Sequence, residues 1–126
     1  MIHHALEKEI RTLFQVTPTP LGAALTDLDG SDLVVHPKGM AEQLRVQAIY
    51  TGLMLKRLLK LNTAGTTKDL DRLKLAGKEG TLLAIRIGTQ HQLVIMLDAD
   101  AYPLRYETRV DDVSDAIQQI LQKSLV

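Results

Sequence analysis

The sequence predicts one α+β domain with the element order α-β-β-α-β-β-β-α. In three segments, apolar residues repeat at helical spacing. Five short segments either alternate between polar and apolar residues or are continuously apolar, as strands are. Asp29-Gly30 lies between two apolar runs, which predicts a hairpin, and short turns between the last three runs make those strands antiparallel. We therefore predict a five-stranded, mainly antiparallel sheet with the long helix on one face and the two terminal helices on the other.

Each element has its own local signal. Leu6, Ile10 and Phe14 lie on one side of the first helix, and proline at 18 and 20 ends it. Pro37 and Gly39 end the second strand. The predicted helices are 3–14, 40–61 and 111–125; the strands are 21–27, 32–36, 72–75, 81–87 and 92–97; the main connections are 62–67 and a polar loop at 98–109.

Composition excludes several classes of function. The chain has 126 residues, enough for a single domain, and we treat 1–126 as one unit. Formal net charge is zero, whereas nucleic-acid binders usually carry a basic excess, so no nucleic acid is expected. No apolar run approaches the roughly 20 residues of a membrane span, so no membrane insertion is expected. The absence of Cys excludes disulfides and thiolate sites and suits a cytoplasmic location.

No motif for catalysis, a metal or a cofactor emerges. Residues 76–81 contain two glycines but lack the spacing of a phosphate-binding loop, and they lie between two strands. Asp27 and Asp29 begin like a calcium loop that lacks its later ligands. His3 and His4 are adjacent and point about 100° apart on a helix, so they are poor joint ligands. We expect no enzyme, no metal and no cofactor.

The long helix is apolar on two sides. Its inner side is sufficient to cover the sheet and carries Met40, Ala41, Leu44, Ala48, Leu55, Leu58 and Leu59. Val46, Ile49 and Leu53 form a second apolar line among the charged residues of the other side, and we call these three the outer stripe. An apolar patch with a polar rim usually marks a protein–protein contact. The alternative is that the chain itself covers the outer stripe, for example with the 62–67 loop.

The strand at Arg72–Leu75 suggests a second contact. Arg72, Leu73, Lys74 and Leu75 alternate between polar and apolar, as in a half-exposed or edge strand. An edge strand has unpaired backbone groups that invite a further strand. Pairing with a second copy would bring two long helices side by side and leave a composite helical surface for a partner.

Three segments together resemble the roadblock / dynein-light-chain family. They are the strand and acidic hairpin at 23–30, the long helix from Met40, and the paired apolar strands 81–87 and 92–98. The resemblance covers about residues 3–125 and depends on order and spacing.

The resemblance implies a homodimer or heterodimer with a sheet continuous across the interface. It also implies a partner, since prokaryotic members often regulate small Ras-like GTPases, and one type activates the GTPase without supplying an arginine finger. Eukaryotic members are dynein light chains or scaffold subunits. Carried over by position, the partner surface comprises Glu42, Arg45, Val46, Ile49, Tyr50, Leu53, Lys56 and Arg57.

Two further functions stay open. Similar α/β/α modules sense small molecules, and here such a pocket would be lined by Tyr102, Arg105 and Tyr106 in the polar loop. An enzyme would have to use Asp98, Asp100 or His91, and no nucleophile–base set can be assembled from their spacing. A dynein-type adaptor is the variant of the partner-binding function that involves no GTPase.

Overall fold

The structure, a computed structural model, describes residues 2–15, 19–63, 72–78, 80–98 and 104–124. The helices are α1 (Ile2–Thr12), α2 (Ala41–Thr63) and α3 (Leu104–Ser124), with short 3-10 turns at Leu13–Gln15 and Lys38–Met40. The strands are β1 (Gly22–Asp27), β2 (Asp32–His36), β3 (Arg72–Gly77), β4 (Gly80–Ile87) and β5 (His91–Leu97). The predicted element order is confirmed.

The strands form one antiparallel sheet in the order β2-β1-β5-β4-β3. Its two edges are therefore β2 and β3, which confirms that the strand at Arg72–Leu75 lies at an edge. The β3–β4 hairpin closes on Gly77 opposite Gly80, so the glycine-rich segment is a turn between strands.

Two apolar layers cover the sheet, as predicted. One face packs against α1 and α3 through buried side chains that include Leu6, Ile10, Val113 and Ile117. The opposite face packs against α2 through Leu44, Ala48 and Leu55, which lie over Ala24, Ala84 and Val94. Small side chains on the sheet let the backbone of α2 approach closely, and this closeness determines the geometry of the candidate site.

The predicted start of the last helix is wrong. We expected a polar loop over 98–109 and a helix from about 111, whereas α3 begins at Leu104. Tyr106 and Val110 are buried in line with Val113 and Ile117, at helical spacing. The polar residues at 107–109 lie on the outer side of the first turns of α3. Their composition resembles that of a loop unless Tyr106 is recognised as a core residue.

Smaller differences lie at other helix ends. Asn62 and Thr63 belong to the last turn of α2, whereas the sequence suggested a loop from 62. The rest of that predicted loop lies outside the described residues. Among the described residues, no helix has both the length and the apolar character required to cross a membrane.

Candidate interaction surface on the long helix

The inner side of α2 is placed as the periodicity predicts. Leu44, Ala48 and Leu55 are fully buried, and Met40 and Leu58 pack at the margin of the same cluster. The side chain of Leu59 lies outside the described part of the chain. Within the described residues, this side of α2 covers one face of the sheet, and the opposite side of α2 faces outward.

The outer stripe is exposed. Val46, Ile49 and Leu53 have relative exposures of 47%, 49% and 50%. Tyr50 at 62% and Met54 at 41% extend the apolar area along one flank. Met54 is absent from the predicted surface, because by spacing alone it falls beside the apolar line. The alternative in which the 62–67 loop covers the outer stripe involves residues 64–67, which are not described.

A close helix–sheet approach at Gly52 holds α2 in position. A Cβ atom at Gly52 would overlap the backbone carbonyl of Leu28 and would lie 3.0 Å from Nε2 of Gln92. Only a residue without a side chain fits between α2 and the β1–β2 turn. The middle of α2 is thereby fixed against the end of the hairpin.

Buried hydrogen bonds of two polar side chains fix the same contact between α2 and the sheet. The side-chain amide of Gln92, on β5, donates to the carbonyl oxygen of Ala48 at 2.8 Å and to that of Asp27 at 3.3 Å. The hydroxyl of Thr51 donates to Oε1 of Gln92 at 2.7 Å. Gln92 and Thr51 are 0% and 1% exposed, so these bonds satisfy polar groups that would otherwise be buried without partners. The network joins β5, β1 and α2.

The β1–β2 turn packs against Ile49, one residue of the outer stripe. Gly30 has a φ of +95°, and a Cβ there would lie 2.6 Å from Cγ1 of Ile49. Oδ1 of Asp27 accepts hydrogen bonds from the backbone N–H groups of Asp29 and Ser31, both at 2.9 Å, and so fixes the turn. Ile49 is therefore half covered by the turn and half presented outward.

Two cations of the predicted partner surface already have partners within the chain. Arg45 pairs with Asp32 on β2 at 3.4 Å, and Lys56 pairs with Asp29 in the turn. Both pairs are largely exposed, so each contributes about 0–1 kcal/mol to stability. Glu42 and Arg57 make no ion pair or hydrogen bond through their side chains within the described part of the chain. They are exposed charges at opposite ends of the outer stripe.

The edge strand and the outer stripe meet at one groove. On the α2 face of the sheet, Leu75 of β3 lies opposite Leu82, which lies opposite Met96. This apolar row forms part of a groove of about 700 Å³ beside the first half of α2, with Val46 in its wall. Leu75 is 45% exposed, whereas Leu73 is more covered because it packs beside the cluster under α2. The side chain of Arg72 lies on the other face, where it pairs with Asp111 of α3.

Within the described structure, the residues that a small-molecule sensor or an enzyme would need do not form one site. Tyr106 is 1% exposed in the core beneath α3, and Tyr102 and the side chain of Arg105 lie outside the described residues. His91 begins β5 and Asp98 follows its end, roughly 23 Å apart at 3.3 Å per residue. Asp100 is not described. Within the described ranges, no group of three His, Asp or Glu residues is placed to hold a metal ion.

Solved structures of similar shape identify the fold. MglB from Myxococcus xanthus superposes with a TM-score of 0.82 over 98% of this chain and 92% of its own, at 16% identity. The gliding protein MglB from Thermus thermophilus gives 0.78 over 97% and 92%, at 15% identity. A roadblock/LC7 domain from Streptomyces avermitilis gives 0.73 over 92% and 97%, at 16% identity. The chain has the roadblock/LC7 fold.

This confirms the resemblance at the level of fold. At this level of identity the shared backbone architecture does not by itself establish a shared function. No protein-family model and no curated protein matches the sequence. The character of the candidate surface therefore depends on the residues of this chain alone.

Replacing Gly52 by alanine tests the close contact between α2 and the β1–β2 turn. The added methyl group has no space beside the carbonyl of Leu28, so α2 must shift away from the turn. We expect Gly52→Ala to lower the free energy of unfolding by about 1–3 kcal/mol, the usual effect of overpacking. Gly39→Ala is the matched control, because a Cβ at Gly39 meets no atom within 4 Å. Urea unfolding followed by circular dichroism measures both; equal stability of the two variants would contradict this close contact.

Proposed function

We propose that this protein is a dimeric, non-enzymatic regulator or scaffold of the cytoplasm that binds a small Ras-like GTPase through α2. The observation that carries the proposal is the outer stripe, three half-exposed aliphatic side chains on a helix whose inner side already covers the sheet. Burying a large aliphatic side chain completely contributes roughly 1.5–3 kcal/mol, so a partner that covers this line gains substantial affinity.

Self-association is supported by the β3 edge and by a structural neighbour. Along an antiparallel strand, backbone groups point alternately toward the neighbouring strand and away from it. Because Gly77 and Gly80 close a two-residue turn and bond to each other, the backbone N–H of Arg72, Lys74 and Ala76 points away from β4. This side of β3 is the edge of the sheet, where a second β3 would pair. An MglB structure with a tetrameric arrangement, of TM-score 0.78 and 16% identity, shows that a protein of this fold self-associates.

The GTPase is supported by the fold and by the composition of the surface. The family resemblance implies regulation of small Ras-like GTPases, and a gliding protein is among the structural neighbours. The predicted surface combines an apolar centre with charges at both ends, the composition of a protein-binding patch rather than a catalytic cleft. Within the proposal, this chain acts on the GTPase by shape and charge and supplies no catalytic residue of its own.

Acidic residues within the outer stripe should abolish association. We expect the double variant Ile49→Asp, Leu53→Asp to fold, since both side chains are half exposed, and to lose dimerisation or binding of the GTPase. Light scattering reports the mass, and a pull-down with a small GTPase reports partner binding. Ile2→Asp on α1 is the control, because Ile2 is 41% exposed on a different helix. Unchanged mass and unchanged GTPase capture in the double variant would refute the proposal.

Proline at position 74 tests the β3 edge separately. The N–H of Lys74 points away from β4, so Lys74→Pro removes a donor from the edge of the sheet and leaves the β3–β4 ladder in place. We expect Lys74→Pro to fold with its circular dichroism unchanged and to shift the dimer–monomer equilibrium by tenfold or more toward monomer, about 1.4 kcal/mol. Lys74→Ala keeps the N–H and is the control for loss of the side chain. A proline variant that dimerises as tightly as the alanine variant would exclude this edge.

A further inference from the structure

We infer that the β3 edge is matched to an acidic strand of a different protein, one in which Asp or Glu alternates with apolar residues. The inference rests on the use of this edge in the proposed function and names the chemistry of the strand that the edge prefers. The observations that carry it are the charges of β3, the direction of its backbone groups and the apolar row beside it.

The charges of β3 and the start of its turn are all of one sign. The described residues from 72 to 78 carry three bases, Arg72, Lys74 and Lys78, and no acid. Alternate side chains of a strand lie on one face, so Lys74 shares with Arg72 the face of the sheet where Asp111 of α3 pairs with Arg72. Lys74 is exposed, and its ammonium group has three donors, so it can bind a carboxylate of an added strand in addition to a contact within its own chain.

A second copy of β3 does not supply such a carboxylate. The backbone N–H groups of Arg72 and Lys74 point away from β4, so an added antiparallel strand would bond at these positions. A twofold axis at Leu73 would place Arg72 opposite the partner's Lys74, and an axis at Lys74 would place that residue opposite its own copy. An axis at Leu75 would place Arg72 opposite the partner's Lys78. Like charges directly opposite each other in a sheet are destabilising, and each of these three registers opposes two cations.

The other face of the same strand favours apolar residues. Leu73 and Leu75 alternate with the bases, and Leu75 is 45% exposed in the groove that Val46 and Met96 also line. An added strand would place every second side chain on this face, where an apolar side chain would cover Leu75. The edge therefore fits a strand that is acidic on one face and apolar on the other.

A substitution at position 74 creates a more acidic edge strand within this chain. Lys74→Glu changes an exposed side chain and keeps both leucines of β3, so we expect it to fold with its circular dichroism unchanged. In an equimolar mixture with the wild type, the equilibrium constant that converts the two homodimers into mixed dimers should exceed its statistical value by about tenfold, because only the mixed dimer brings bases and the new acid together. Labelling one chain with heavy nitrogen lets native mass spectrometry separate the three dimers. The excess should fall at high salt, which screens exposed charges.

Lys8→Glu is the matched control for this mixture. It makes the same charge change at an exposed position of α1, which lies beside β2 at the other edge of the sheet, and its mixture with the wild type should be statistical. A statistical distribution of dimers for Lys74→Glu as well would overturn the preference for an acidic strand and leave the proposed dimer standing.

The same mixtures separate the inference from the proposed self-association. Wild-type protein that is monomeric alone but forms dimers with Lys74→Glu would support the acidic strand and overturn self-association of the wild type. The absence of dimers from the wild type and from every mixture at high concentration would overturn both.

Discussion

The close approach of α2 to the end of the sheet is the constraint on which the rest of the structure depends. Gly52 leaves no space between the helix backbone and the carbonyl of Leu28, and the side chain of Gln92 bonds to backbone carbonyls on both sides of the contact. An apolar contact alone tolerates sliding, because hydrophobic burial has no preferred direction. The amide of Gln92 and the hydroxyl of Thr51 do have directions, so they fix how α2 is rotated and where it lies along the sheet.

The orientation of the outer side of α2 follows from these contacts at Gly52, Gln92 and Thr51. Once Ala48, Thr51 and Leu55 are fixed inward, the helical repeat places Val46, Ile49 and Leu53 on the outer side of α2. The β1–β2 turn then limits the surface further, since Gly30 lies against Ile49 and the turn carboxylate of Asp29 pairs with Lys56. The hairpin therefore both supports the apolar centre and neutralises one of the flanking cations. Within the described residues, what stays available for a partner is a narrow apolar line with an unpaired acid at one end and an unpaired base at the other.

Periodicity in the sequence predicts the helices, the strands and their layers. Residues whose role depends on tertiary contacts give little or no signal in the sequence. Alternation and helical spacing were sufficient for the element order, the layers, the edge position of β3 and the exposed outer stripe. Gln92 gave no signal, because a polar residue at the start of an apolar strand also suits an exposed position, and its role depends on carbonyls that only the fold brings near. Gly52 gave only a weak signal, since a glycine inside a helix indicates close packing without saying against what. Tyr106 falls within the predicted loop because its neighbours are polar, whereas four buried apolar residues from Tyr106 to Ile117 define one helical face.

A fold can persist at 16% identity over 98% of a chain because its requirements are coarse: apolar periodicity, short turns and small residues where layers approach. The exposed side of α2 is under no such requirement, since any residue that tolerates solvent preserves the fold. A line of three aliphatic side chains there has no role in covering this chain's own sheet, and the ends of that line carry charges that the described part of the protomer does not use. The residues that would distinguish one partner from another thus lie on the surface that folding leaves unconstrained, which is the surface that the proposed partner would cover.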